Sequence, residues 1–166
     1  AAGLCLGLIA AAPALAFSDV SGEELSEAVE VLSGLGIVSG YSDGSYHPDD
    51  ALTRAQFCKL AVLAEGHGDK INAGAYRTLF SDVPGSNWAA PYVNLAYEEG
   101  LVSGYGDGTF GPDDPVTVGQ AVTAVLRLLG YTAEEIGPFW PEDAMSLADS
   151  LGLLDGLDKT AARALS

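Results

Sequence analysis

Val38-Ser39-Gly40-Tyr41-Ser42-Asp43-Gly44-Ser45-Tyr46-His47-Pro48-Asp49-Asp50 is answered 64 residues later by Val102-Ser103-Gly104-Tyr105-Gly106-Asp107-Gly108-Thr109-Phe110-Gly111-Pro112-Asp113-Asp114. Each copy closes on a threonine, Thr53 and Thr117. The differences are conservative: Tyr46 against Phe110, Ser45 against Thr109 and, just upstream, Ile37 against Leu101. Self-similarity at a fixed offset is the mark of a repeat architecture. Asp-Gly forms turns and Pro-Asp-Asp leads into a helix, so the stretch predicts a turn-rich loop between two helices.

The flanks agree. Upstream, Leu25, Ala28, Val29 and Leu32 fall at i, i+3, i+4 and i+7, and Ala89, Tyr92, Val93 and Ala96 repeat the pattern. Pro91 stands in the first turn, where its missing N–H costs little, and Gly36 and Gly100 stand where a left-handed C-cap wants glycine. Downstream, Phe57, Leu60, Ala61 and Ala64 form one stripe, matched by Ala121, Ala124, Val125 and Leu128. Thr53 with Gln56, and Thr117 with Gln120, read as capping boxes.

A third, worn unit follows. Trp140 precedes Gly152 by the twelve residues that separate Trp88 from Gly100, and Leu153-Leu154-Asp155-Gly156 replaces Ile37-Val38-Ser39-Gly40. The end at Ala164-Leu165-Ser166 resembles Ala51-Leu52-Thr53, which reads as a stop just before a third capping box. Between units, His67, Gly68 and Asp69 read as loop, residues 70–79 as a short helical excursion, and residues 131–138 as a second link. One such unit cannot bury its own apolar stripe, so the units must pack on one another.

The chain has 166 residues, is 48% apolar and carries a net charge of −16. That composition is globular rather than disordered. Seven Lys and Arg argue against nucleic acid and against an anionic bilayer surface. Residues 1–16 read as the tail of a secretory signal peptide, an apolar run ending in Ala14-Leu15-Ala16, without the initiator Met or a basic start. The run is too short for a membrane span, so no stable membrane insertion is expected once it is cleaved. Cys5 is the alternative, a lipoprotein anchor, but Leu4 stands where a small residue is wanted. With that segment removed, Cys58 is the remaining cysteine; it cannot pair within the chain and reads as a small buried hydrophobe.

Together these residues resemble the S-layer homology domain. Phe17-Ser18-Asp19-Val20 and Phe80-Ser81-Asp82-Val83 open the units, the Val-Ser-Gly-Tyr-x-Asp-Gly run follows, and Thr53-Arg54-Ala55-Gln56 completes the pattern. The resemblance covers essentially all of residues 17–166. It implies an all-α fold of tandem helix–loop–helix repeats in a pseudo-threefold assembly, here with an incomplete third repeat. The expected organisation is a signal remnant at 1–16, repeat one with its connector at 17–79, repeat two at 80–135 and a truncated repeat three at 136–166.

The implied role is non-catalytic anchoring of an exported surface protein to the cell wall. Grooves between such repeats hold a secondary cell-wall polysaccharide attached to peptidoglycan, often bearing pyruvate ketals. By this resemblance the groove residues are Arg54, Trp88, Trp140, Ser39, Gly40, Tyr41, Ser103, Gly104 and Tyr105. Arg54 at a helix start, beside free backbone N–H groups, would suit a carboxylate. Structural self-association within a surface layer is the alternative. The chain departs from the family pattern at Val118, where the arginine would recur, and at Glu24, where the other units have tryptophan.

No cofactor or metal is expected. Asp43, Asp49, Asp50, Asp107, Asp113 and Asp114 lack the alternate spacing of a calcium loop. Nothing places two of them across a shielded cleft as glycoside hydrolysis would need. His47 and His67 sit in loops without a triad partner.

Overall fold

The computed structural model describes residues 17–71 and 77–157. The expected signal segment and the expected break before a third capping box lie outside the described residues. The described residues form α1 (Glu23–Gly34), α2 (Arg54–Ala64), a 3-10 turn (His67–Lys70), α3 (Ala90–Glu98), α4 (Val118–Leu128), α5 (Ala133–Ile136) and α6 (Glu142–Ser150). Among them there is no strand, only an isolated antiparallel bridge between Thr53 and Pro115. The chain divides into two compact units, up to Asp50 and from Ala51 onward.

The repeat is carried into the helices. α2 and α4 share the 64-residue offset at both ends, and α6 reproduces α3 at an offset of 52. Both predicted capping boxes form: Thr53 accepts from the Gln56 N–H at 3.2 Å while Gln56 accepts from the Thr53 N–H at 2.9 Å, and Thr117 and Gln120 do the same. Gly100 adopts φ 73° and closes α3 with paired bonds, its own N–H to the Tyr97 carbonyl and that of Leu101 to the Ala96 carbonyl. Gly36 ends α1 in the same way, and Gly152 does so for α6, so the worn unit keeps its helix stop.

In the unit up to Asp50, the Asp19 carboxylate accepts from the N–H groups of Tyr46 and His47, and Phe17 packs on Tyr46. In the unit from Ala51, Asp82 accepts from the N–H groups of Phe110 and Gly111 in the equivalent loop. The Ser-Asp-Val opening is therefore a clamp on the turn of its own repeat. The Asp-Gly turns are held from within, Asp43 by Ser45 and Asp107 by Thr109, which leaves those carboxylates occupied as turn formers.

The larger unit is built on α2 against α3 and α4 against α6, with α2 also touching α4. Cys58, Val62, Val83, Val93 and Phe110 are wholly buried in its main core. Burial pushes the Cys58 thiol up to about 12, which keeps it an inert apolar filler. Smaller clusters join Val118 and Val122 of α4 to Met145, Ala148 and Leu154, and Leu126 to Ile136 and Ala144.

Of the predicted α3 stripe, Ala89, Val93 and Ala96 are at 0% exposure and Tyr92 is partly buried. Three other stripes differ. α2 buries Ala55, Cys58, Ala61 and Val62, while Phe57 and Leu60 are partly covered and Ala64 is exposed. That helix is apolar almost all round, so its periodicity could not select a face. α4 buries Gly119, Thr123, Ala124 and Leu126 and leaves Val125 exposed; a glycine and a threonine carry no apolar signal, yet small side chains suit a close helix contact. In α1, Val29 alone is buried and Leu25 and Ala28 are exposed. The links differ too. The helical turn falls at His67–Lys70 where a loop was expected, residues 71 and 77–79 are non-helical, and residues 131–138 contain α5, capped by Thr132 and Glu135.

Candidate functional site

Within the larger unit, the loop before α4 is brought against the start of α2. The Thr53–Pro115 bridge sets this register, with the Val116 N–H bonded to the Leu52 carbonyl at 2.9 Å. The Arg54 N–H then reaches the Asp114 carbonyl at 2.9 Å and the Ala55 N–H reaches the Pro112 carbonyl at 3.0 Å. The free N–H groups expected beside Arg54 are therefore taken. The neighbouring repeat's loop uses them, and no anion site forms from that helix start.

The Arg54 side chain is 5% exposed, not the solvated surface arginine that an acidic chain would suggest. Its Nε donates to the Phe110 carbonyl at 2.9 Å and its Nη2 to the Ser103 carbonyl at 2.8 Å. Its guanidinium carbon lies over the Phe110 ring at 4.3 Å and the Tyr105 ring at 4.8 Å from the centroids. No carboxylate among the described residues pairs with it. A buried cation is tolerable here because backbone carbonyls and two aromatic faces replace its water.

Arg54 forms one wall of a cavity of about 560 Å³. Ser103, Gly104, Tyr105 and Trp140 line it with Arg54, so five of the nine residues expected at a groove meet in one place. Gly104 is there for space: a Cβ would run into the Phe80 ring and the Thr109 carbonyl. Tyr105 donates its hydroxyl to Asp114 at 2.8 Å; burial first, and then that bond, push the phenol above its ordinary value, so it stays a neutral donor. Trp140 stands two residues before α6 with its indole Nε1–H fixed on the Thr123 hydroxyl at 3.0 Å, yet is 53% exposed. An aromatic ring fixed at one edge and half exposed is suited to packing on a sugar ring.

The other four expected residues are elsewhere. Trp88 stands before α3, 56% exposed and near Tyr92, and does not line this cavity. Ser39, Gly40 and Tyr41 belong to the unit ending at Asp50, where the Tyr41 ring meets His47 edge-on at 4.8 Å.

The cavity is also lined by residues not expected at a groove: Arg127, Thr123 and the capping residue Gln120 from α4, and Ile136 and Gly137 at the end of α5. Arg127 donates from Nη1 to the Leu101 carbonyl at 3.2 Å. Its signal was present in outline, as a lone cation in the last turn of an apolar helix, but such a residue ordinarily serves the helix dipole. Two of the chain's seven Lys and Arg thus line one cavity, and none of its 23 Asp and Glu does.

The sequence model of the S-layer homology domain matches residues 16–58 and 79–122. The chain is 34% identical over 134 residues to a surface layer protein of Brevibacillus choshinensis, covering 81% of this chain and 12% of that protein. It is 34% identical over 157 residues to a cell surface protein of Thermoanaerobacter kivui, covering 93% of this chain and 20% of that one. A cellulosome-anchoring protein of Acetivibrio thermocellus is 32% identical over 93 residues, 55% of this chain and 21% of its own length. The chain therefore spans about a fifth or less of the relatives it matches. With its duplicated loop, its paired capping boxes and a helical fold that contains no strand among the described residues, the chain belongs to the S-layer homology domain family.

Proposed function

We propose that this chain is a non-catalytic module that holds a surface protein on the bacterial cell wall by binding an acidic secondary polysaccharide attached to peptidoglycan. Its family and relatives put it at the cell wall or surface, and no helix among the described residues is long and apolar enough to cross a membrane. The observation that carries the polysaccharide reading is the composition of the cavity: two arginines, a half-exposed tryptophan and no acidic lining residue, in a chain of net charge −16. Local positive charge in an otherwise acidic molecule suits an anionic ligand, and an aromatic plate beside it suits a sugar. Of the expected groove residues, Arg54, Ser103, Gly104, Tyr105 and Trp140 belong to this site.

The test is co-sedimentation with purified cell-wall sacculi, intact and with the secondary polymer extracted. The expected result is retention on intact sacculi, loss on extracted ones, and weakening on intact ones by Trp140→Ala. Equal retention on both preparations would overturn the polysaccharide reading. Sedimentation of the chain without any sacculi would favour self-association.

A further inference from the structure

The two cavity arginines are in different states. Arg54 is almost wholly buried, with Nε and Nη2 committed to carbonyls of the opposite loop. Arg127 is half-buried and commits one donor, Nη1 to Leu101. A guanidinium has five N–H donors in a planar fork, so four of those of Arg127 are uncommitted. No carboxylate among the described residues lies within 4.0 Å of them. In a chain with 23 acidic residues against seven basic ones, an arginine left unpaired in a cavity is a departure from the rest of the surface. Both ends of its setting are fixed: α4 is capped by Thr117 and Gln120, and the bond to Leu101 anchors the side chain just past the glycine stop of α3. Trp140 lines the same cavity through its bond to Thr123, one turn earlier on α4.

Resting on the polysaccharide reading above, we infer that Arg127 is the residue that contacts the acidic group of the polymer. Arg54 is a positioning residue that holds the Ser103 and Phe110 wall of the cavity. The free side of the Arg127 fork matches two oxygens of one anion, a carboxylate or a phosphate, in a bidentate contact that a lysine ammonium cannot reproduce. The cavity then divides its work between an arginine that reads charge and a tryptophan that reads the ring.

The experiment compares the wild-type chain, Arg127→Gln, Arg127→Lys and Trp140→Ala on sacculi that are intact, polymer-extracted, or carbodiimide-amidated at their carboxylates. Thermal melts of each variant are taken alongside, and binding is measured well below the lowest melting temperature. Arg127→Gln is expected to weaken binding to intact sacculi by tenfold or more, and Arg127→Lys to recover only part of it, because charge returns without the fork. If amidation abolishes the difference between wild type and Arg127→Gln, the group is a carboxylate; if the difference persists, it is a phosphate. Should Trp140→Ala weaken binding while Arg127→Gln binds intact sacculi as wild type does, the polymer reading stands and the role of Arg127 falls. Equal binding of wild type to intact and extracted sacculi would overturn both.

Discussion

Arg54 is the point at which chemistry and position diverge. Its residue type suggests ligand binding, but its two short bonds to the Phe110 and Ser103 carbonyls make it a brace between repeats. Arg54→Ala would leave those carbonyls unpaired and the Tyr105 and Phe110 faces without their cation. We expect a loss of about 1.5–3 kcal/mol of stability, the range for a hydrogen bond to a charged group, read from urea midpoints. An unchanged midpoint would mean that water replaces the guanidinium freely. Gly104 makes the complementary point. Its place in the repeated motif comes from contact with Phe80, so Gly104→Ala should cost about 1–3 kcal/mol through overpacking and distort the cavity wall at the same time.

The helices and loops take their limits from local polar bonds, which can be tested one at a time. Thr53→Ala and Thr117→Ala each remove an N-cap whose reciprocal partner is in place, and each should cost about 1 kcal/mol. A much larger loss for Thr53→Ala would show that the bridge to Pro115 depends on the cap. The turns respond to acid. Asp43 and Asp107 are held below their ordinary values first by the side-chain hydroxyls of Ser45 and Thr109, Asp19 by the N–H of His47, and Glu135 by the N–H of Thr132. A carboxylate lowered in the folded state favours folding above its unfolded value, near 3.9 for Asp and 4.3 for Glu. That contribution is lost as pH falls through the folded value. Denaturation midpoints should therefore decline as the pH drops below about 4, and the decline should be shallower in an Asp43→Asn, Asp107→Asn double variant. An equally steep decline would assign acid sensitivity to other groups.

Taken whole, the chain carries a net charge of −16, which repels an anionic polymer at long range. Long-range repulsion is screened by salt, whose Debye length falls from about 30 Å at 0.01 M to about 8 Å at 0.15 M. A contact made inside a cavity is screened less. Raising the salt over that interval should speed association with immobilised polymer while dissociation changes little. A steep fall in the association rate would show that an attractive patch elsewhere dominates the approach.

Local pattern alone was enough to show the duplicated loop, both capping boxes, the glycine stops, the α3 stripe and the family, because each depends on residues a few positions apart. Through the family resemblance it offered nine groove candidates, of which Arg54, Ser103, Gly104, Tyr105 and Trp140 line one cavity. It could not show that the Arg54 side chain is buried or that its neighbouring N–H groups are spoken for, since the partners lie 49 to 60 residues away at Ser103, Phe110, Pro112 and Asp114. Nor could it choose the buried face of α2, which is apolar on most sides, or single out Arg127, which belongs to no repeated motif. Those were decided by tertiary packing: one bridge between two loops sets the register, and with that register Arg54 is enclosed while Arg127 stays half-buried.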